Sequence, residues 1–235
     1  MTRNRDSRAE LVQTMARLLR DQGYTATGRA QLLAESGVSN GSLYHHFPGG
    51  MEELAEAALE ASGALVADAL REALDAAPNA GEGVARFLDI AGGATTGEQC
   101  AGCPIAPTAL ESPTVSPRLR AVAARCFDEW EALIAARLRA DGWPDGSAPE
   151  AASAALALVE GALLLARVSG QLDHLVHAKR AALALLAAPP PDGGTSASWS
   201  SASSSSRRRT SDASVGSSPK ARSTSTSVAS PVTIE

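Results

Sequence analysis

The sequence predicts an all-α protein, and three observations predict it. Alanine supplies 48 of the 235 residues while aromatics make up only 3%, so short side chains and close helix packing must build the core. Apolar residues recur at helical spacing along most of the chain, with no run of alternating β-branched residues of the kind a half-buried strand needs. Glycine or proline separates one such segment from the next. The length allows one large or two small domains, and no internal repeat divides it. The expected arrangement is an N-terminal three-helix module over residues 1–50, a larger helical domain over 51–191 and a tail over 192–235.

Ser7 is the expected cap of a first amphipathic helix, in which Leu11, Val12, Met15, Leu18 and Leu19 share a face and which Gly23 ends. Thr27 is expected to cap a short helix reaching Ser36, and Ser39 a second one running to about His46. Phe47-Pro48-Gly49-Gly50 then breaks the chain. A long helix is expected from Met51 to about Ala76, with Leu54, Ala58, Ala61, Leu65 and Ala69 on its apolar stripe. Further helices are expected at about 80–92, 117–140, 148–169 and 171–187. The last two carry more apolar residues than one stripe holds, Leu164 and Leu172 among them. Such surfaces pack on two sides, one against their own core and one against a second chain.

Composition changes after Pro189-Pro190-Pro191: residues 192–235 contain 16 Ser and five Thr and almost no large apolar residue. This segment cannot bury enough to offset its ordering entropy, so a disordered Ser-rich tail is expected. Its basic cluster, Arg207-Arg208-Arg209, reads either as part of a solvated low-complexity segment or as an electrostatic tether to DNA.

The net charge of −5 conceals an asymmetry. Residues 1–50 carry six Arg against four acids, a balance of +2, and residues 51–191 carry ten basic residues against nineteen acids, a balance of −9. Wholesale coating of nucleic acid is excluded, and any polyanion contact is confined to the N-terminal module. Three Cys with no apolar leader before them point to a reducing compartment, so the expected location is the cytoplasm. The longest apolar run, Ala151–Val159, stops at Glu160, well short of the roughly 18–20 residues of a membrane span. No span is expected.

Two short helices joined by Ser36-Gly37-Val38 and held by a preceding amphipathic helix have the proportions of a helix-turn-helix. Gly37 supplies the positive φ that such a turn needs. The second helix opens with Ser39-Asn40-Gly41-Ser42, residues too small and polar for a core, and continues Leu43-Tyr44-His45-His46-Phe47. Leu43 and Phe47, at i and i+4, face the supporting helices, leaving Tyr44, His45 and the polar first turn outward, as in a recognition helix. His46 is expected to turn toward the body.

Residues 37–47 together resemble the signature of the tetracycline-repressor-type family of bacterial transcriptional regulators. Pro48-Gly49-Gly50 and Gly102-Cys103-Pro104-Ile105 are similar to the branch that includes lincomycin-resistance-type repressors. The resemblance implies a homodimer with a four-helix interface built by the two C-terminal helices, each N-terminal module entering a major groove of a palindromic operator. It further implies a repressor released from that operator by a small apolar effector. By position, Thr27, Ser39, Asn40, Gly41, Ser42, Tyr44 and His45 inherit DNA contact. Thr27 and Ser39 can donate to phosphate at helix N-termini or act only as caps, Asn40 can read a base edge, and Tyr44 and His45 can reach the backbone. Two positions depart from the family pattern: Met51 stands where a phosphate-gripping Lys is common, and Leu33 where helix crossings usually place Ala.

Phe127 and Trp130, at i and i+3, lie on the face that such repressors turn toward an effector cavity, and Phe87 and Arg167 are candidates to complete it. Core packing explains the aromatics equally well, and Arg167 can instead pair with Glu160 or face solvent. Cys100 and Cys103 have CxxC spacing, and with Cys126 and His174 or His177 they offer a different reading, a thiol- or metal-dependent enzyme or redox protein. No second ligand pair supports a metal, so no metal or cofactor is expected, with structural thiols the simpler account. No phosphate-cradling loop or nucleophile elbow is present, and the adjacent carboxylates Glu52-Glu53 and Asp128-Glu129 point apart on a helix, so no enzyme is expected.

Overall fold

A computed structural model describes residues 2–93 and 102–189, and every regular element among them is an α-helix. The order is α1 (Thr2–Gln22), α2 (Arg29–Ser36), α3 (Asn40–His46), α4 (Met51–Asp75), α5 (Ala80–Gly93), α6 (Ala106–Val115), α7 (Pro117–Ala140), α8 (Ser147–Ser169) and α9 (Asp173–Leu185). The all-α expectation is met.

The long helix α4 lies at the centre, packed by α1 on one side and by α5 and α7 elsewhere along its length. α8 packs on α7 and α9, and α9 closes back on α5. Small residues let these helices approach closely: a Cβ added to Gly63 of α4 would lie 2.4 Å from Cys126 Sγ on α7. The buried face of α4 runs through Leu54, Ala58, Ser62, Gly63, Ala67 and Leu70. The expected stripe is therefore right at its start and drifts off the core by its second half, where Leu65 is 72% exposed. A helix advances 100° per residue, so a stripe spaced by fours and threes rotates unless the core follows it.

Other boundaries shift for local reasons. α1 begins at Thr2 rather than at Ser7, because nothing between them breaks a helix, and Ser7 lies within it. Gly23 ends it as expected, at φ 78°. The N-cap of α2 is Gly28, not Thr27. α6 was not expected at all. α8 is long and apolar enough to cross a membrane by length and composition, which the run ending at Glu160 did not suggest; one face of it, with Ala152, Leu156, Val159 and Leu163, is buried in the core.

Met1–Gly194 gather into one compact unit, within which α1 packs on α4 and α6 as well as on α2 and α3. The remaining unit, Thr195–Glu235, which holds nearly all of the expected tail and its arginine cluster, lies outside the described residues.

Candidate nucleic-acid interface and internal cavity

Gly37 takes φ 66° and closes α2 by donating its N–H to the Leu33 carbonyl, which turns the chain into α3. Ser39, extended at φ −72° and ψ 153°, caps α3 by accepting from the Ser42 N–H at 3.2 Å. Leu32 and Leu43 are fully buried, Phe47 nearly so, and Leu33 packs against the same core. These contacts pin the inner face of the helix pair, and Arg8 places its guanidinium over the Phe47 ring at 5.2 Å.

The outer face of α3 is thereby set. Asn40, Gly41, Tyr44 and His45 are exposed and Ser42 half-buried, while His46 turns partly inward. Tyr44 lies beside Gly50, and its hydroxyl accepts from Arg29 Nη1 at 3.0 Å, so the first turn of α2 and the outer face of α3 present a cation and a phenol together. Thr27 is placed differently from expectation. It is 7% exposed, and its single hydroxyl proton goes to the Gly23 carbonyl at 2.6 Å, which leaves the side chain no donor for a phosphate.

Glu111 and Arg167 tie this head to helices far along the chain. Glu111 of α6 accepts from the Tyr24 and Thr25 N–H groups at 2.9 and 2.8 Å, gripping the loop after α1. Arg167 of α8 donates to the carbonyls of Arg20 and Asp21 at the end of α1. Arg167 thus ties helices together and is not among the side chains that line the cavity behind the head.

Behind the head lies a cavity of about 480 Å³. α1 contributes Gln13, Ala16, Arg17 and Arg20 to it; the other walls come from α4, α5, α7, α8 and the segment Gly102-Cys103-Pro104 and are mostly apolar, with Phe87, Trp130 and Leu156 among them. Trp130 is 1% exposed and spends its indole N–H on the Gly63 carbonyl at 3.1 Å. Phe127 meets Trp130 edge to face, centroids 5.2 Å apart, but it stands behind the wall and does not line it.

Sequence reasoning missed Glu160, which also lines the cavity. Burial pushes its carboxyl above the usual range, partly offset by a hydrogen bond with Cys103. The same burial holds the Cys103 thiol far above its ordinary value, with Glu160 adding to the shift, and burial raises Cys126 as well. Both thiols are thus kept protonated, the opposite of what a nucleophile or metal ligand requires. Among the described residues no three His, Cys, Asp or Glu side chains converge as a metal would need; Cys100 lies outside the described residues.

Residues 11–58 match the bacterial regulatory proteins of the tetR family, and residues 80–181 match the C-terminal domain of LmrA/YxaF-like transcriptional regulators. The regulator LmrA of Bacillus subtilis is 32% identical over 173 residues, covering 73% of this chain and 92% of its own. The chain belongs to the TetR family of transcriptional regulators. YxaF, also from Bacillus subtilis, is 34% identical and covers 70% of this chain and 87% of its own. A TetR regulator structure from Chloroflexus aurantiacus superposes with a TM-score of 0.68 at 28% identity, over 80% of this chain and 98% of that one. TetR-family regulators bind DNA and usually act as dimers, and they are generally not enzymes. The resemblance carried by residues 37–47 is borne out, as is the one to the LmrA-containing branch.

Proposed function

We propose that this TetR-family regulator is a cytoplasmic, ligand-responsive repressor: a homodimer that holds a palindromic operator and releases it when a small apolar effector fills the cavity behind the head. The observation that carries the reading is the double duty of α1, which supplies the inner support of the reading helix and also part of the cavity wall. An effector that wedges α1 and α4 apart favours a separation of the two heads that no longer matches two half-sites. Leu164, Leu165, Val168, Leu172 and Val176 on and between α8 and α9 are exposed in the single chain and supply an apolar face for the partner subunit.

Within the reading helix, Asn40, Gly41, Ser42, Tyr44 and His45 carry DNA contact, with Ser39 capping and Thr27 positioning the turn. The test begins by selecting binding sites from random or genomic DNA, which is expected to return a pseudo-palindrome. Tyr44→Ala and Asn40→Ala are each expected to weaken that site by about 1–3 kcal/mol per half-site while leaving the dimer and helical content intact. Unchanged operator affinity in both would overturn the reading. A chain ended after Pro191 is expected to keep its melting temperature and dimer, losing DNA affinity only modestly at low salt.

A further inference from the structure

Resting on the effector-cavity reading above, we propose that the cavity takes an apolar ring compound bearing one protonated amine, and that the carboxylate of Glu160 on α8 receives that amine. The inference comes from an account of the charges along the wall. Among the described residues, three formally charged side chains line the cavity: Arg17, Arg20 and Glu160. Arg17 pairs with Glu35, and Arg20 Nε lies 3.3 Å from Asp21 Oδ1. Both cations are compensated, and both sit on α1 with side chains about two-fifths exposed. Glu160 is half-buried, and among the described residues no cation forms a salt bridge with it. Its partner is the Cys103 thiol, a weak donor. The one ionisable group of this wall left without a partner of opposite charge is therefore the Glu160 carboxyl.

A shielded carboxylate is costly unless a cation answers it. A ligand that brings the cation removes this cost, and its rings meet Phe87, Trp130 and Leu156 on the apolar walls. At about 480 Å³ the space suits a compound of drug size. A neutral ligand leaves Glu160 as it is; an anionic one sets like charge against it. Burial already holds the carboxyl above its usual range, so the empty site resists ionisation and an incoming ammonium group draws it into the charged form.

Isothermal titration of the full-length chain at neutral pH with naphthylmethylamine, naphthylmethanol and naphthoate tests the proposal. The amine is expected to bind about tenfold tighter than the alcohol, the margin of a charge-assisted over a neutral hydrogen bond, with naphthoate weakest. Glu160→Gln is expected to erase the preference for the amine while leaving the alcohol's affinity within about twofold, since only the charge is removed. If that variant fails to fold, the order of the three probes on the unaltered chain still decides. Alcohol or naphthoate binding as tightly as the amine, or no binding by any of them, overturns the proposal. Operator release, read separately by gel shift, keeps the two ideas apart. An amine that binds at Glu160, when none of the three probes releases DNA, supports this proposal and removes the effector reading; release by the alcohol or the acid, with the amine binding no tighter than they do, does the reverse.

Discussion

Arg167 on α8 donates through Nη1 to the Arg20 carbonyl at 2.7 Å and through Nη2 to the Asp21 carbonyl at 2.8 Å, joining groups 147 and 146 positions apart. The last carbonyls of a helix have no partner within it and carry the negative end of its dipole, so a guanidinium suits that place. Gly102 lies against the same side chain, where an added Cβ would sit 2.9 Å from Arg167 Cδ.

Arg167→Met keeps much of the stem and removes both donors. It is expected to destabilise the chain by about 1–2 kcal/mol, measured by urea unfolding, and to blunt the loss of operator affinity that an effector causes. Unchanged stability and unchanged effector response would show that this tie carries no strain between α8 and the head.

Glu111→Ala leaves the Tyr24 and Thr25 N–H groups without their acceptor. A loosened loop after α1 weakens the seat of α2, so operator affinity is expected to fall several-fold with dimerisation unaltered. Amide exchange at Tyr24 and Thr25 checks the cause directly; protection there equal to that of the unaltered chain would contradict it.

Gly63→Ala would place a methyl 2.4 Å from Cys126 Sγ and 3.2 Å from its Cβ. Overpacking of this kind costs about 1–3 kcal/mol. Cys126→Ala removes the closest atom, and the double variant is expected to recover most of the loss, a non-additivity that thermal melting of all four proteins reads out. Equal losses in the single and double variants would place the crowding elsewhere.

Burial raises the Glu160 carboxyl in the folded chain. Between its unfolded and folded values the folded state therefore holds more protons than the unfolded state, and stability falls as pH rises through that window. Glu160→Gln, uncharged throughout, is expected to melt at higher temperature than the unaltered chain at neutral and alkaline pH. The gap should close as pH drops below about 4, the ordinary carboxylate value, where both forms are neutral. A gap independent of pH would assign the effect to packing.

The head was legible in the sequence because its determinants are local. Gly37 encodes its own positive φ, Ser39 caps through a bond three residues away, and Leu43 with Phe47 fixes which face of α3 turns inward. α6 was not legible: Pro107 and Pro113 argue against a helix in isolation, and no strong stripe argues for one. Its place is decided by neighbours far along the chain, with Thr108 fully buried and Glu111 holding the loop after α1. Thr27 shows the same limit on a smaller scale. A threonine at a helix start can cap, pack or touch phosphate, and the Gly23 carbonyl that claims its hydroxyl comes into range only when the turn has formed. Glu160 read as the residue that stops an apolar run; that the run and four other helices enclose a common space is a property of the assembly.

The burial of α1 against α4 and α6 bears on how such regulators can be recombined. A chimera cut at residue 50 would carry Leu11, Met15, Leu18 and Leu19 away from the Leu54, Ala58 and α6 surfaces of the same core cluster, exposing an apolar seam on both fragments. The transplantable unit is larger than the part that touches DNA: a graft that exchanges operator specificity must either bring the first half of α4 and all of α6 with it, or change only the outward residues of α3 and leave every interior contact in place.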